Sequence, residues 1–328
     1  MYLKYDDFYE VVMYYFIVNT QSRTGNAARI WNEVKVVLKK ENVQYKAFET
    51  SFEGHATELA RSLTENTTDI VHIIIMGGDG TINEVVNGIA DFDKVRLGVI
   101  PTGTGNDFAR NLGIKGSTEE IIHDILNTVQ GIKLDIGAVE WGEEHHRRLF
   151  TISSGIGFDA LVCKYTLTSH VKRVFNMLHL GKLAYLVLTV RSLFAIKTYD
   201  ADASFGKHSD RTFKKVIFSA AMNLRAEGGG VPMAPSSNPS DGLVAFCVAS
   251  DIPLLILPFC LILLVLGKHE KLKYFHIFND VSAHIHTSTP VVLHADGEYL
   301  ADVTDVWYEC LPKRLELLNT IRGNKSHE

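Results

Sequence analysis

The chain has 328 residues, 46% of them hydrophobic and 22% charged. That composition supplies a buried core, sets an expectation of about two domains and excludes a disordered chain. A net charge of −5 leaves no chain-wide basic footprint, so no nucleic-acid partner is expected. Cys163, Cys247, Cys260 and Cys310 stand far apart with no CxxC pair, which excludes a zinc cluster or disulfide scaffold and reads as free thiols in a reducing cytoplasm.

In chain order, an apolar run at 14–18 leads to a glycine-containing turn, and the helix after it places Ile30, Trp31, Val34 and Leu38 on one face. A strand over 45–50 and a helix from His55, with Ala56, Leu59, Ala60 and Leu63 in register, come next. Residues 70–76 are nearly all apolar, as a strand covered on both faces must be. Helix returns over 81–89, strand over 95–100, and Ser117 with Glu120 forms a capping box before a helix bearing Ile121, Ile122, Ile125 and Leu126. A strand over 133–139 ends the alternation, which implies a parallel sheet covered by helices. After the polar stretch 142–148, strands are expected at 149–153, 216–222, 243–248, 281–286, 290–294 and 303–310, with helical insertions at 169–195 and 253–266. The close spacing of the later strands implies hairpins and an antiparallel domain. The apolar run 252–266 is shorter than the roughly 18 residues a spanning helix needs, and Pro253 and Pro258 interrupt it. It reads as a buried or interfacial helix of a soluble protein.

Two loops carry the chemistry. Met76-Gly77-Gly78-Asp79-Gly80-Thr81-Ile82-Asn83-Glu84 joins a buried strand to an amphipathic helix. Glycines there remove Cβ atoms, so backbone N–H groups can approach phosphate oxygens at a helix N-terminus. Pro101-Thr102-Gly103-Thr104-Gly105-Asn106-Asp107-Phe108-Ala109-Arg110 occupies the equivalent place after the next strand. Both converge on the crevice where open α/β sheets bind ligands, bordered by a third loop, Asn19-Thr20-Gln21-Ser22-Arg23-Thr24-Gly25. No GxxxxGK[ST] occurs, so this phosphate site is not a P-loop. The stretch His145-His146-Arg147-Arg148 reads as a solvated hairpin tip.

These segments resemble the catalytic domain of the diacylglycerol kinase family, in its soluble bacterial lipid kinase branch, with sphingosine kinases as relatives and NAD kinases more distant. The similarity runs over about residues 14–318. It includes Leu134-Asp135-Ile136-Gly137, Ser154-Gly155-Ile156-Gly157-Phe158-Asp159-Ala160, Gly228-Gly229-Gly230 with Pro232 and Ala234, Ser240-Asp241-Gly242, and Asp296-Gly297-Glu298. The resemblance implies an ATP- and Mg²⁺-dependent transfer of the γ-phosphoryl group to a lipid hydroxyl, with diacylglycerol as the default acceptor. On that resemblance Asn19, Thr20, Gln21, Ser22, Arg23, Thr50, Gly77, Gly78, Asp79, Gly80, Thr81, Ile82, Asn83, Thr104 and Asp107 surround the nucleotide. Asp79, Asp107 and Asp135 form a water-linked Mg²⁺ network. Asp296 serves as the base with Glu298 orienting it, or the roles are reversed. Asp241, with backbone oxygens of Asn238 and Leu243, resembles a structural Mg²⁺ site, although on its own residues Asp241-Gly242 reads as a β-turn. The first loop departs from the family pattern Asn-Pro-x-Ser-Gly-x-Gly, since Thr20 replaces Pro and Arg23 replaces Gly.

The expected architecture is a doubly wound α/β nucleotide domain over 13–142, to which 311–320 returns, and an antiparallel β-sandwich domain over 143–310 that takes the lipid acceptor. A cytoplasmic protein attached peripherally to membranes follows, with a homodimer as a further candidate assembly. Residues 160–199 hold no Asp or Glu but include Lys164, Lys172, Arg173, Lys182, Arg191 and Lys197. They are read either as the membrane contact or as a helix packed on the β domain with a solvated basic face. Two other function classes stay open at this point: a soluble kinase of NAD kinase type, and a nucleotide-binding regulator without catalysis.

Overall fold

The computed structural model describes residues 12–20, 26–161 and 197–321. Its N-terminal part alternates β1 (Met13–Val18), α1 (Ala27–Lys40), β2 (Gln44–Glu49), α2 (His55–Thr64), β3 (Val71–Gly77), α3 (Asp79–Gly88), β4 (Val95–Pro101), the short α4 (Asp107–Asn111) and α5 (Thr118–Asn127). The strands pair in parallel in the order β4-β3-β1-β2. Ile73, Ile74, Ile75 and Met76 of β3 are wholly buried, as an apolar run in a two-sided sheet requires. The chain leaves β1 toward β2, then crosses back to β3 and β4. Right-handed crossovers therefore put α1 on one face and α2 with α3 on the other, and the order reverses between β1 and β3. Trp31, Val34 and Leu38 of α1 are buried as their spacing predicts, and the Ser117–Glu120 capping box forms at α5.

Beyond α5 the pairing is antiparallel: β5 (Ile132–Trp141), β6 (His146–Phe150), β7 (Ser153–Gly157), β8 (Tyr199–Phe205), β9 (Arg211–Met222), β10 (Val244–Ser250), β11 (Phe275–Asp280), β12 (Ser282–Ala295) and β13 (Glu298–Leu317), with α6 (Leu257–Val265) after β10. The 20-residue β13 joins the two parts. It pairs antiparallel with β12 and β5, then runs parallel to β4 where Glu316 and Leu317 meet Arg96 and Leu97. Its register with β5 slips between Leu311 and Leu315, where Pro312 offers no N–H and Lys313 takes a positive φ of 52°. Beyond β13, Asn319 clamps Val99: Oδ1 accepts its N–H at 2.7 Å and Nδ2 donates to its carbonyl at 2.9 Å. The returning chain end thus adds a strand to the parallel sheet.

Three strand expectations are corrected. The run 149–153 is not one strand but the end of β6 and the start of β7, because the N–H groups of Thr151, Ile152 and Ser153 turn onto the Asp296 carboxylate instead of a ladder. The runs 281–286 and 290–294 form one strand, β12, with an irregularity between His286 and Val291. Strands β8 and β11 were absent from the sequence expectations. The helical insertion at 253–266 is α6, whereas that at 169–195, with nearly all of the basic 160–199 stretch, lies outside the described residues. Among the described residues no helix is long and apolar enough to cross a membrane.

Candidate active site

The switch point between β1 and β3 is closed by backbone contacts. The Asn19 N–H donates to Met76 O at 2.8 Å, the Thr50 N–H to Val18 O at 2.9 Å, and the Thr102 N–H to Gly77 O at 2.9 Å. Asn19 Nδ2 donates to Thr81 Oγ1 at 3.1 Å, and Thr20 Oγ1 to Glu49 at 3.4 Å. At Gly78 and Gly103 the two glycine loops meet main chain to main chain: a Cβ on Gly103 would lie 2.7 Å from Gly78 Cα. Side chains there would force the loops apart. The structure thus brings Asn19, Thr20, Thr50, Gly77, Gly78, Thr81 and the exposed Thr104 around one crevice, while Gln21, Ser22 and Arg23 lie outside the described residues. Ile82 differs. Its side chain is in the core and its N–H is spent on Gly78 O at 3.1 Å, so it has no group left for a nucleotide.

Asp79 links the loops. Its Oδ2 accepts the Asp107 N–H at 2.9 Å and its Oδ1 the Phe108 N–H at 3.0 Å. Burial, with Asp107 and Asp296 nearby, outweighs those bonds and pushes its carboxyl up to about 6. Asp107 Oδ1 accepts from Arg110 Nη1, and Oδ2 accepts the Gly229 N–H at 2.8 Å; burial raises its pKa against these contacts. Asp135 stands with a different group. Its oxygens accept the N–H groups of Gly242 at 2.7 Å and Lys313 at 2.6 Å, and its charge acts on Asp241. The direct hydrogen bonds of Asp135 thus lie with the 241–243 turn and β13, while those of Asp79 lie with the Asp107 loop. In that turn Asp241 Oδ1 accepts the Leu243 N–H at 3.0 Å, Gly242 takes a φ of 76°, and Asn238 is exposed. Asp241 thus closes an Asx-turn.

Opposite the glycine loops, the turn between β12 and β13 presents Asp296, Gly297 and Glu298. Five donors converge on Asp296. Ile152 N–H (2.8 Å) and Ser153 N–H (3.0 Å) reach Oδ1, while Thr151 N–H (2.8 Å), Thr151 Oγ1 (2.9 Å) and Asn83 Nδ2 (2.8 Å) reach Oδ2. Among the described residues Glu298 accepts only Arg148 Nη2, at 2.8 Å on Oε2. A Cβ on Gly80 would sit 3.6 Å from its Oε1. Burial raises the Glu298 pKa, against the lowering effect of Arg148. Asn83, expected at the nucleotide, is fully buried and faces the turn. Besides Asp296 it donates to Leu149 O at 2.9 Å, and its Oδ1 accepts from Arg148 at 2.6 Å and Asn87 at 3.1 Å.

Sequence reasoning missed Arg148 and a buried group behind the turn. Arg148 is not part of a solvated tip. Alternation along β6 sends Arg147 to Glu140 and Glu309 and Arg148 to Asn83 and Glu298. Behind Gly297, His294 Nε2 meets Asp159 at 3.3 Å and its Nδ1 accepts the Gly297 N–H at 3.3 Å. Burial disfavours charge on His294, but Asp159, Glu227 and Asp296 outweigh it and raise its pKa. Glu227 accepts the Ser153 hydroxyl, and burial carries its carboxyl to about 7. The ligand atoms of Asp159, Glu227 and His294 lie within 4.8 Å of one another, yet both ring nitrogens of His294 are already spent on protein partners. Gly155 makes room for this group, since a Cβ there would strike Asp159 Oδ2 at 2.1 Å.

The arrangement suits phosphoryl transfer: two glycine-loop backbones with one buried and one half-buried carboxylate on one side, a carboxylate-bearing turn on the other. Asp79, raised by burial among like charges, is the kind of hard oxygen donor that a divalent cation relieves. The comparisons agree. Residues 13–139 match the family model for the diacylglycerol kinase catalytic domain, and residues 153–319 match that for the YegS C-terminal NAD kinase beta sandwich-like domain. The chain is 30% identical over 295 residues to YtlR of Bacillus subtilis (strain 168), provisionally named a lipid kinase, covering 88% of this chain and 93% of that one. It is 29% identical to a diacylglycerol kinase of the same strain, over 81% of this chain and 83% of that one. Among solved structures, a diacylglycerol kinase of Bacillus anthracis str. Sterne superposes with a TM-score of 0.66 at 18% identity, over 94% of this chain and 96% of that one. An NAD kinase of Archaeoglobus fulgidus in complex with ATP superposes at 0.51 and 12% identity, over 91% and 90%. These two establish likeness of fold.

Proposed function

Because the chain belongs to the diacylglycerol kinase catalytic-domain family of lipid kinases, we propose that it transfers the γ-phosphoryl group of ATP to the hydroxyl of diacylglycerol, giving phosphatidic acid. The observation that carries this reading is the convergence of the Gly78–Gly103 loop contact, the Asp79–Asp107 pair and the Asp296-Gly297-Glu298 turn, with Gly80 beside Glu298 Oε1 and Asp296 close enough to act on Asp79.

The backbone of the two glycine loops binds the phosphates, and the side chains of Asn19, Thr20 and Thr50 border them. Asp79 and Asp107 would hold the Mg²⁺ that offsets charge developing on the transferred group. Across the cleft the two turn carboxylates divide the work, and of the two orderings the geometry favours Glu298 as the base. A base needs a free lone pair. Asp296 has five donors on two oxygens that carry about four lone-pair sites, so none is left over. Glu298 Oε1 receives no hydrogen bond among the described residues, and burial brings its pKa toward neutrality, where a base works best. Arg148 orients Glu298, and Asp296 holds the turn against β6 and β7.

The test is phosphoryl transfer by the full chain from γ-labelled ATP to diacylglycerol in vesicles, with NAD as the competing acceptor. Labelled phosphatidic acid is expected; labelled NADP with no labelled lipid overturns the reading. Glu298→Gln should lower turnover about 10²–10⁴-fold with ATP binding near wild type. Unchanged turnover at saturating lipid refutes the assignment of the base.

A further inference from the structure

Residues 252–266, Ile-Pro-Leu-Leu-Ile-Leu-Pro-Phe-Cys-Leu-Ile-Leu-Leu-Val-Leu, contain no charged or amide side chain, and their one thiol, Cys260, is buried. A helix apolar on every side belongs inside a core or against lipid. Among the described residues only one side is covered. Leu257, Cys260 and Leu264 of α6 pack on Phe158, Phe218, Met233 and Phe275. Leu254, Leu255, Phe259, Ile262, Val265 and Leu266 point outward, each 58–92% exposed. Leu255, Phe259, Ile262 and Leu266 follow the spacing of one helical stripe.

We infer that this face is the surface by which the protein docks on an anionic phospholipid bilayer, an inference that rests on the lipid kinase reading above. Two observations select a bilayer over a second copy of the chain. The exposed stripe offers no hydrogen-bonding side chain, whereas protein interfaces carry about one hydrogen bond per 100–200 Å². Just past the helix, Lys268, Lys271 and Lys273 are all exposed against the single acid Glu270 in that stretch, with Asp251 at the far end. Hydrocarbon side chains beside a lysine fringe are the pattern of an interfacial helix, whose apolar face enters the acyl boundary while cations meet anionic headgroups.

The helix is also coupled to the cleft. Met233 and Ala234 lie beneath it, His269 Nε2 contacts Met233 O at 3.0 Å, and Gly267 abuts Pro232. The same loop, a few residues earlier, gives Gly229 N–H to Asp107 and sets Gly230 against Arg110. Phe158, which packs in the same cluster as α6, directly precedes Asp159 of the group behind the Asp-Gly-Glu turn. Docking by this face therefore holds the acceptor side of the cleft near the bilayer, where a lipid hydroxyl is presented.

The experiment is co-sedimentation of the full chain with phosphatidylcholine vesicles, with and without 30 mol% (about one lipid in three) phosphatidylglycerol. Neither ATP nor diacylglycerol is present, so a failed kinase reading cannot mask the result. Wild type should partition onto the anionic vesicles. Leu255→Ser/Phe259→Ser/Ile262→Ser should lose that partition at least about tenfold, and Lys268→Glu/Lys271→Glu should lose about tenfold on anionic vesicles alone. Thermal stability of the triple variant should stay near wild type, because these side chains are mostly exposed. Partition unchanged in the triple variant overturns the proposal. So does a wild-type dimer that the triple variant converts to monomer with partition intact, which would assign the face to a second copy. A fall in thermal stability with partition intact, which would assign it to a cover from this chain, overturns it as well.

Discussion

Replacing Asp296 by Asn deletes a charge and turns one of two acceptor oxygens into a donor. The amide oxygen can still take the N–H groups of Ile152 and Ser153, which leaves its NH₂ facing the donors now bound to Oδ2. The Thr151 N–H is main chain and cannot turn. Asn83 cannot flip, since its NH₂ also serves Leu149 O and its oxygen serves Arg148 and Asn87. Only the Thr151 hydroxyl can rotate to accept. Two hydrogen bonds to an ionised acceptor are then lost, at about 1.5–3 kcal/mol each, so the variant should be destabilised by about 3–6 kcal/mol. Urea unfolding of the nucleotide-free protein measures this directly. Glu298→Gln is the control: its carboxylate is one-third exposed and meets a single guanidinium, so it should cost under about 1 kcal/mol. A loss below about 1 kcal/mol for Asp296→Asn would show that the five donors are not committed to this carboxylate, and would remove the argument against Asp296 as base.

Three further outcomes are expected. Gly103→Ala puts a Cβ 2.7 Å from Gly78 Cα and 2.8 Å from Asn106 Oδ1; it should raise the KM for ATP at least about tenfold with the fold retained by circular dichroism, since about 1.4 kcal/mol of lost binding suffices. Arg148→Met removes the cation that lowers the Glu298 pKa, so the acid limb of the kcat–pH profile should move to higher pH; an unmoved limb separates Glu298 from the titrating base. At Glu316, desolvation is outweighed by Lys133, the Gly131 N–H and Arg96, which hold its carboxyl below the usual range. Its stabilisation is present above the unfolded carboxyl pKa and lost as pH falls through the lower folded value, so Glu316→Gln should flatten the stability decline between about pH 5 and 3 seen by thermal melts.

The N-terminal half was legible in the chain because its determinants are local. A four-residue apolar core in β3, a Gly-Gly-Asp turn and a helix with Ile82, Val85 and Val86 in register define a strand–loop–helix unit without distant partners. Alternation then implies a parallel sheet, and the switch point follows from connection handedness. The acceptor side was legible only as residue types. That Asp296 is saturated while Glu298 is open depends on Thr151, Ile152 and Ser153, more than 140 residues earlier. Those three sit where a strand was expected, because a backbone whose donors are taken by a distant carboxylate shows no sign of it in its hydrophobic pattern. Arg148 lay in a charged run whose two faces separate only once β6 pairs with β5. Nothing in the sequence shows that the Lys313 N–H, at the register slip beside Pro312, lands on Asp135. Local pattern decides which elements form. Which buried oxygen stays free for chemistry is decided by the hydrogen-bond partners that tertiary packing delivers, and those come from anywhere in the chain.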